Sequence, residues 1–342
     1  PLDPAVPANP LQKLLFKIMY SKQDDYEAQL RSMGLLDSDA FTCTCYQPEV
    51  GNRPRRGDIL SWAESSAVVF ANSVLGARCN RNSGIIEMFG SIAGFVPEFG
   101  LLTDEGRKAT WIIEVDCKRK PEAQVLGSAI GMKVMEDVPY IKGLDRWLGR
   151  ELTPGTQDYL KDMGAASASN GAVGLYHVDG ITPEAVEQGE QLIAPDAQIY
   201  RIDDGELERI RSSYPIMWKN PGARPKLAFI GCPHLSSAQL AHWADAICDG
   251  LCASGNCRVQ VPTVLTAAPS VADAFRKTAA YRRLSTTGTV VSSICPLMYT
   301  NNPLCGSMPI ITNSNKLRTY SASRYYTDDE VLAYVTTGKP IK

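Results

Sequence analysis

Cys232 ends the apolar run Leu227-Ala228-Phe229-Ile230-Gly231 and is followed at once by Pro233 and His234; Cys295 ends the run 289–294, "TVVSSI", and is followed by Pro296. Ligands of layered α/β sheets collect just beyond the carboxyl ends of strands. Two cysteines far apart in sequence can therefore share a site without any CxxC spacing. A third thiolate is available from "TCTC" at 42–45, in the other half of the chain, as Cys43 or Cys45. Three thiolates on an iron–sulfur cluster leave one iron without a protein ligand, and such an iron is a Lewis acid for hydroxyl and carboxylate oxygens. That is the chemistry of a dehydratase. Taken singly, the same cysteines suit small buried hydrophobes, and spacing alone leaves both readings open.

A second group lies in "WAESSAVVFANSVLGARCNR", residues 62–81, where Glu64, Ser65, Ser66, Asn72, Ser73, Arg78, Asn80 and Arg81 stand among small apolar neighbours. These residue types suit a polyfunctional anion, with Arg78 or Arg81 as a bidentate carboxylate clamp; a capped core helix with a solvated end uses the same residues. In "PIITNSNKLRTYS", Asn313, Ser314 and Lys316 suit a hydrogen-bonding loop with a cation, or a turn and helix cap. His234 can orient a cluster ligand, donate to substrate, or make a structural hydrogen bond. With Cys232 as nucleophile it could also serve a thiol hydrolase, though two residues apart on an extended chain the pair is awkwardly placed. Cys248, Cys252 and Cys257 lack a fourth nearby ligand for structural zinc and are read as packing residues.

The elements that must position these groups alternate. "ATWIIEVDC", "GAVGLYHVDG" and "KLAFIGCP" read as strands, as do "CRVQVPTV" and "GTVVSSICP". "SSAQLAHWADAICDGL" and "SVADAFRKTAAYRRL" read as helices, and Thr182-Pro183-Glu184 starts another. Alternation predicts α/β layers with partly parallel strands. The Pro/Gly cluster "KNPGARPK" is the expected boundary, giving an approach segment 1–40, a domain 41–220 with the polar motif and a domain 221–342 with cluster cysteines. With 342 residues, 21% charged, and a net charge of −2, the chain has no global field for nucleic acid or an anionic membrane surface. No apolar run suits a spanning helix, and prolines interrupt the start where a secretory signal needs an apolar core. The chain is expected to be soluble and cytoplasmic, with reduced thiols; its first residue, Pro, suggests processing or a trimmed part of a longer chain.

The motifs "TCTCYQPEVGNRPRRGDILSWAESSAVVFANSVLGARCNRNSG", "GLYHVDGITPEA", "FIGCPH", "SSICP" and "ITNSNK" together resemble the catalytic large subunit or domain of aconitase X, a branch of the aconitase superfamily, over about residues 41–330. The resemblance implies aconitase-like three-layer α/β/α domains with the iron–sulfur site in the cleft between them. It implies a two-iron or four-iron cluster on three cysteines, by position Cys45, Cys232 and Cys295; Cys45 is chosen over Cys43 for its distance before Val50-Gly51-Asn52. Substrate contacts would come from Ser65, Ser66, Asn72, Arg78, Asn80, Arg81, Asn313, Ser314 and Lys316, with Glu64, Ser65 and His234 as catalytic residues. It further implies a small swivelling domain or subunit, absent from these residues, which in the wider superfamily supplies a serine base. Two activities are known in the family. The 301–326 segment looks more like that of enzymes acting on cis-3-hydroxy-L-proline than like the shorter archaeal version acting on mevalonate 5-phosphate. A non-catalytic metal-binding scaffold is the expectation from another class.

Overall fold

The computed structural model describes residues 9–35 and 41–341. Of the approach segment, residues 1–8 and 36–40 lie outside the described residues. The chain divides into two compact units, residues 52–214 and residues 1–51 together with 215–342, where the sequence suggested divisions at 40/41 and 220/221. Residues 41–51 group with the C-terminal part because Val50 packs on its core and the Cys43 thiol accepts a hydrogen bond from the His234 amide. Among the described residues no helix is long and apolar enough to cross a membrane.

The chain opens with α1 (Pro10–Met19), started by a capping box between Asn9 and Gln12 with Pro10 in the first turn, and α2 (Gln23–Ser32). In residues 52–214, α3 (Ser65–Phe70) runs on as a π-helical turn, Ala71–Leu75, and α4 spans Gly84–Ala93. Then come β1 (Ala109–Val115), α5 (Ala123–Val134), β2 (Pro139–Lys142), α6 (Asp145–Leu148), α7 (Pro154–Asn170), β3 (His177–Val178), α8 (Pro183–Gln188), β4 (Ile193–Ile202) and α9 (Asp204–Ser212). The strands form one parallel sheet, ordered β3-β2-β1-β4.

The other unit carries β5 (Leu227–Leu235), α10 (Ser237–Ala253), β6 (Thr263–Ala267), α11 (Pro269–Arg276), α12 (Ala279–Ser285), β7 (Val290–Ser292), α13 (Pro296–Thr300), β8 (Ile310–Thr312), α14 (Asn315–Tyr320), β9 (Arg324–Tyr325) and α15 (Asp328–Thr337). Its sheet is parallel throughout, ordered β7-β6-β5-β8-β9. Alternate residues of β5 enter two separate cores. Ala228 and Ile230 pack with Trp243, Ile247, Phe275 and Val331 from α10, α11 and α15, whereas Leu227 and Phe229 pack with Phe16, Tyr299 and Leu317 from α1, α13 and α14. Strand alternation buried on both faces is what a sheet between two helical layers requires, and this unit is a three-layer α/β/α sandwich.

Candidate active site

In the second sheet the chain steps from β5 outward through β6 to β7, then returns to lay β8 on the opposite edge of β5. The carboxyl ends of β5 and β8 therefore flank a topological switch point, the position where open parallel sheets bind ligands. Cys232 lies on the irregular end of β5, beyond a register shift after Ile230. The irregularity begins at Gly231, whose φ of +110° suits glycine and whose Cβ, were there one, would stand 2.5 Å from the Thr266 carbonyl oxygen. Across the switch point, the Ser314 hydroxyl donates to the Cys232 carbonyl and accepts from the Leu317 amide as N-cap of α14.

His234 ties two further segments to this end of the sheet. Its Nε2 faces the Ile294 carbonyl at 3.4 Å, which can only accept, so that nitrogen carries the proton. Nδ1 then accepts from the Thr42 hydroxyl at 2.8 Å, and the backbone N–H of His234 donates to Cys43 Sγ at 3.3 Å. Ile294 is followed by Cys295, the N-cap residue of α13, a helix braced by Tyr20, the residue that ends α1, whose hydroxyl donates to the Met298 carbonyl. The imidazole is buried with both nitrogens engaged, which makes it a brace between the 42–45 turn and the Cys295 loop. Cys43, Cys45 and Cys295 are half-buried and Cys232 is buried.

Among the described residues no three His, Cys, Asp or Glu side chains form a set for a single metal ion. A cluster asks for something different, thiolates on separate irons rather than converging on one point. The donor chemistry fits that demand. Three cysteine-bearing segments lie in one compact unit, with His234 bridging two of them and Cys232 two residues before it on the third. Cys305 is spent elsewhere, accepting from Gln12 Nε2 at 3.2 Å in the core beneath α1. Cys248, Cys252 and Cys257 line an open hollow of about 870 Å³ with Arg282 and Arg283.

The polar residues of 62–81 all lie in the other unit. Glu64 is the N-cap of α3, its Oε2 accepting from the Ala67 amide at 2.8 Å; Ser65 is half-buried at the first turn and Ser66 buried beside it. Asn72 sits in the π-helical turn with its amide fully used: Nδ2 donates to the Cys79 and Gly174 carbonyls, and Oδ1 accepts from the Cys79 amide and Arg107 Nη1. Asn80 likewise joins the Phe99 carbonyl to the Leu101 amide. Arg78 donates to the Leu102 carbonyl and pairs with Asp104, and Arg81 donates to the Ala168 carbonyl at 2.7 Å. Burial pushes the Cys79 thiol up to about 11, so it is a neutral packing group. In the cysteine-bearing unit, Asn313 donates to Asp328 and Lys316 is buried in the first turn of α14.

One group escaped the sequence reading. Arg107, fully buried, makes a bidentate pair with Glu184 at 2.7 and 2.9 Å and donates to the Asn72 and Leu101 carbonyls. His177 Nε2 donates to the Arg107 carbonyl at 2.9 Å, and burial, outweighing Glu184, holds its pKa below the usual histidine value. A lone arginine in "DEGRKAT" carries no sequence signal of burial, whereas His177 and Glu184 both lie in the motif "GLYHVDGITPEA".

Three family models match the chain, the aconitase X first domain over residues 9–105, the second domain over 109–212 and the third over 225–329. The phosphomevalonate dehydratase large subunit of Thermococcus kodakarensis is 34% identical over 308 residues, covering 88% of this chain and 72% of that one. The large subunit of the same name from Methanothermobacter thermautotrophicus is 40% identical over 198 residues, 57% of this chain and 45% of that one. The cis-3-hydroxy-L-proline dehydratase of Pseudomonas aeruginosa is 31% identical over 290 residues, 82% of this chain and 47% of that one. The chain thus spans about half the length of the latter two. The crystal structure of Thermococcus kodakaraensis aconitase X in its holo-form superposes with a TM-score of 0.77 at 31% identity, over 92% of this chain and 77% of that one.

Proposed function

The chain belongs to the aconitase X family, whose matched curated members are named dehydratases and hence hydro-lyases, and from that premise we propose that it is the large catalytic part of an iron–sulfur dehydratase acting on cis-3-hydroxy-L-proline. The observation that carries the reading is the meeting of the 42–45 turn, the end of β5 and the Cys295 loop around His234 at the switch point. Cys45, Cys232 and Cys295 are the proposed ligands. Bound there with three protein thiolates, a cluster supplies Lewis acidity toward a substrate hydroxyl or carboxylate oxygen.

The chain's own residues do the rest of the work assigned here. Removal of water takes the hydroxyl from C3 and the proton from C2, beside the carboxylate, and the enamine so formed tautomerises to Δ1-pyrroline-2-carboxylate. Ser65, Ser66 and Arg81 are the proposed carboxylate contacts, and Lys316 with Asn313 and Ser314 the proposed contacts at the switch point. Asn72, Asn80 and Arg78 serve by holding the loop that presents Arg81, since their polar atoms are taken by backbone and by Asp104. Glu64 and Ser65 are the proposed proton-handling groups, with His234 holding the cysteine loops in place. Relatives named large subunits support a small partner, and the proposed role of that partner is to complete the base.

The higher identity to phosphomevalonate dehydratases favours mevalonate 5-phosphate as the second reading. Reconstituted protein, with its small partner, is to be assayed on both compounds. Formation of Δ1-pyrroline-2-carboxylate from cis-3-hydroxy-L-proline, with no turnover of mevalonate 5-phosphate, is expected. The reverse preference would overturn the substrate, and cluster-loaded protein inert toward both would favour a scaffold.

A further inference from the structure

Helix α4 is built inside out. From residue 83 to residue 100 Glu87 is the only buried residue, and its carboxylate accepts from Ser61 Oγ and Asn82 Nδ2, both at 2.6 Å. The apolar side chains point the other way: Ile85 is 63% exposed, Ile86 52%, Phe89 60%, Ile92 60%, Phe95 83% and Phe99 49%. A helix normally turns its apolar stripe to the core, so this one is seated by polar contacts while its hydrophobic side faces water. Scattered exposed hydrophobics need no explanation; six large ones within fifteen residues, each about half or more exposed, are clustered as at an interaction site.

We propose that the outward face of α4 and the following loop to Phe99 is the docking surface for the small partner subunit or domain. The proposal rests on the reading of the chain as a large catalytic part. Composition suits a permanent interface, whose core is apolar and poor in charge: residues 84–100 carry only Glu87, which is buried, and Glu98 as charged side chains. Continuity with the polar segment is the second argument. The hydrogen bonds that seat α4 come from Ser61 and Asn82, which bracket residues 62–81, and Asn80 reaches to Phe99 and Leu101 at the far end of the patch. A partner seated on α4 is thereby anchored on the same loop that presents Arg81, where a partner that completes the active site has to be.

The test is co-purification of the full chain with the small partner produced as a separate polypeptide, followed by titration of the complex. The double substitution Phe89→Ser with Phe95→Ser is compared with Ile199→Ser, which removes an equally exposed side chain from β4. The α4 pair is expected to weaken the complex at least tenfold with an unchanged circular dichroism spectrum, and Ile199→Ser to leave it intact. Unweakened binding by the α4 pair would overturn the proposal. So would light scattering showing that the chain alone is a dimer dissolved by the same pair, since a second copy would then own the surface. If the wild-type chain forms no complex at all, the partner itself fails, and this surface with it.

Discussion

His177 shows how one side chain turns burial into a pH dependence. It is a neutral imidazole that gives its proton to the Arg107 carbonyl, and its pKa is depressed chiefly by loss of solvent. A depressed pKa contributes stability above the unfolded value, about 6.5, and loses it as pH falls from there toward the folded value, because only the unfolded chain then gains a proton. The wild-type protein should therefore lose more melting temperature between about pH 7.5 and 5.5 than His177→Gln, which keeps a donor for the carbonyl. Equal losses would mean that His177 is not held neutral. Cys232 and Cys295 were singled out from the sequence because each closes an apolar run. Arg107 was not, because nothing in its neighbours distinguishes a buried guanidinium from a solvated one. Asn72 was read as a substrate contact; its side chain makes four hydrogen bonds within the fold.

At the scale of elements, the packing of α5 on α7 depends on a residue with no side chain. A Cβ on Gly127 would stand 2.1 Å from the Met163 carbonyl oxygen, so the two helices would have to separate. Gly127→Ala should cost about 1–3 kcal/mol of stability, read from the urea midpoint, whereas the same change in an open helix interior stabilises by up to about 1 kcal/mol; a stabilised variant would contradict this packing. Local chemistry made several elements legible. Ser236 with Gln239 starts α10, and Pro183 opens α8. Where tertiary pairing decides, the sequence was ambiguous. The run 270–284 reads as one helix but breaks at Thr278, whose hydroxyl caps α12. "CRVQVPTV" becomes strand only from Thr263, where pairing with β5 begins. The strand β4, "IAPDAQIYRI", was missed because its residues, all but Ile202 exposed or half-buried, give no hydrophobic period.

At the scale of the molecule, the chain order conceals which parts belong together. The turn with Cys43 and Cys45 precedes Cys232 by nearly 190 residues yet belongs to the same compact unit, while the whole sheet of residues 52–214 intervenes. In the sequence, strand-end placement suggested a shared site for Cys232 and Cys295 and "TCTC" offered the third thiolate, while the family motifs chose Cys45 over Cys43. The central claim is that this unit assembles an iron–sulfur centre on Cys45, Cys232 and Cys295, with Cys43 and Cys305 outside it. The measurement that tests it most directly is the iron and sulfide content of the anaerobically reconstituted protein and of five variants, each of these cysteines changed to serine. Loss of most bound iron together with the visible absorption in Cys45→Ser, Cys232→Ser and Cys295→Ser, and retention in Cys43→Ser and Cys305→Ser, is the expected result. Full iron content in any of the first three, or loss in Cys43→Ser with retention in Cys45→Ser, would contradict the ligand set.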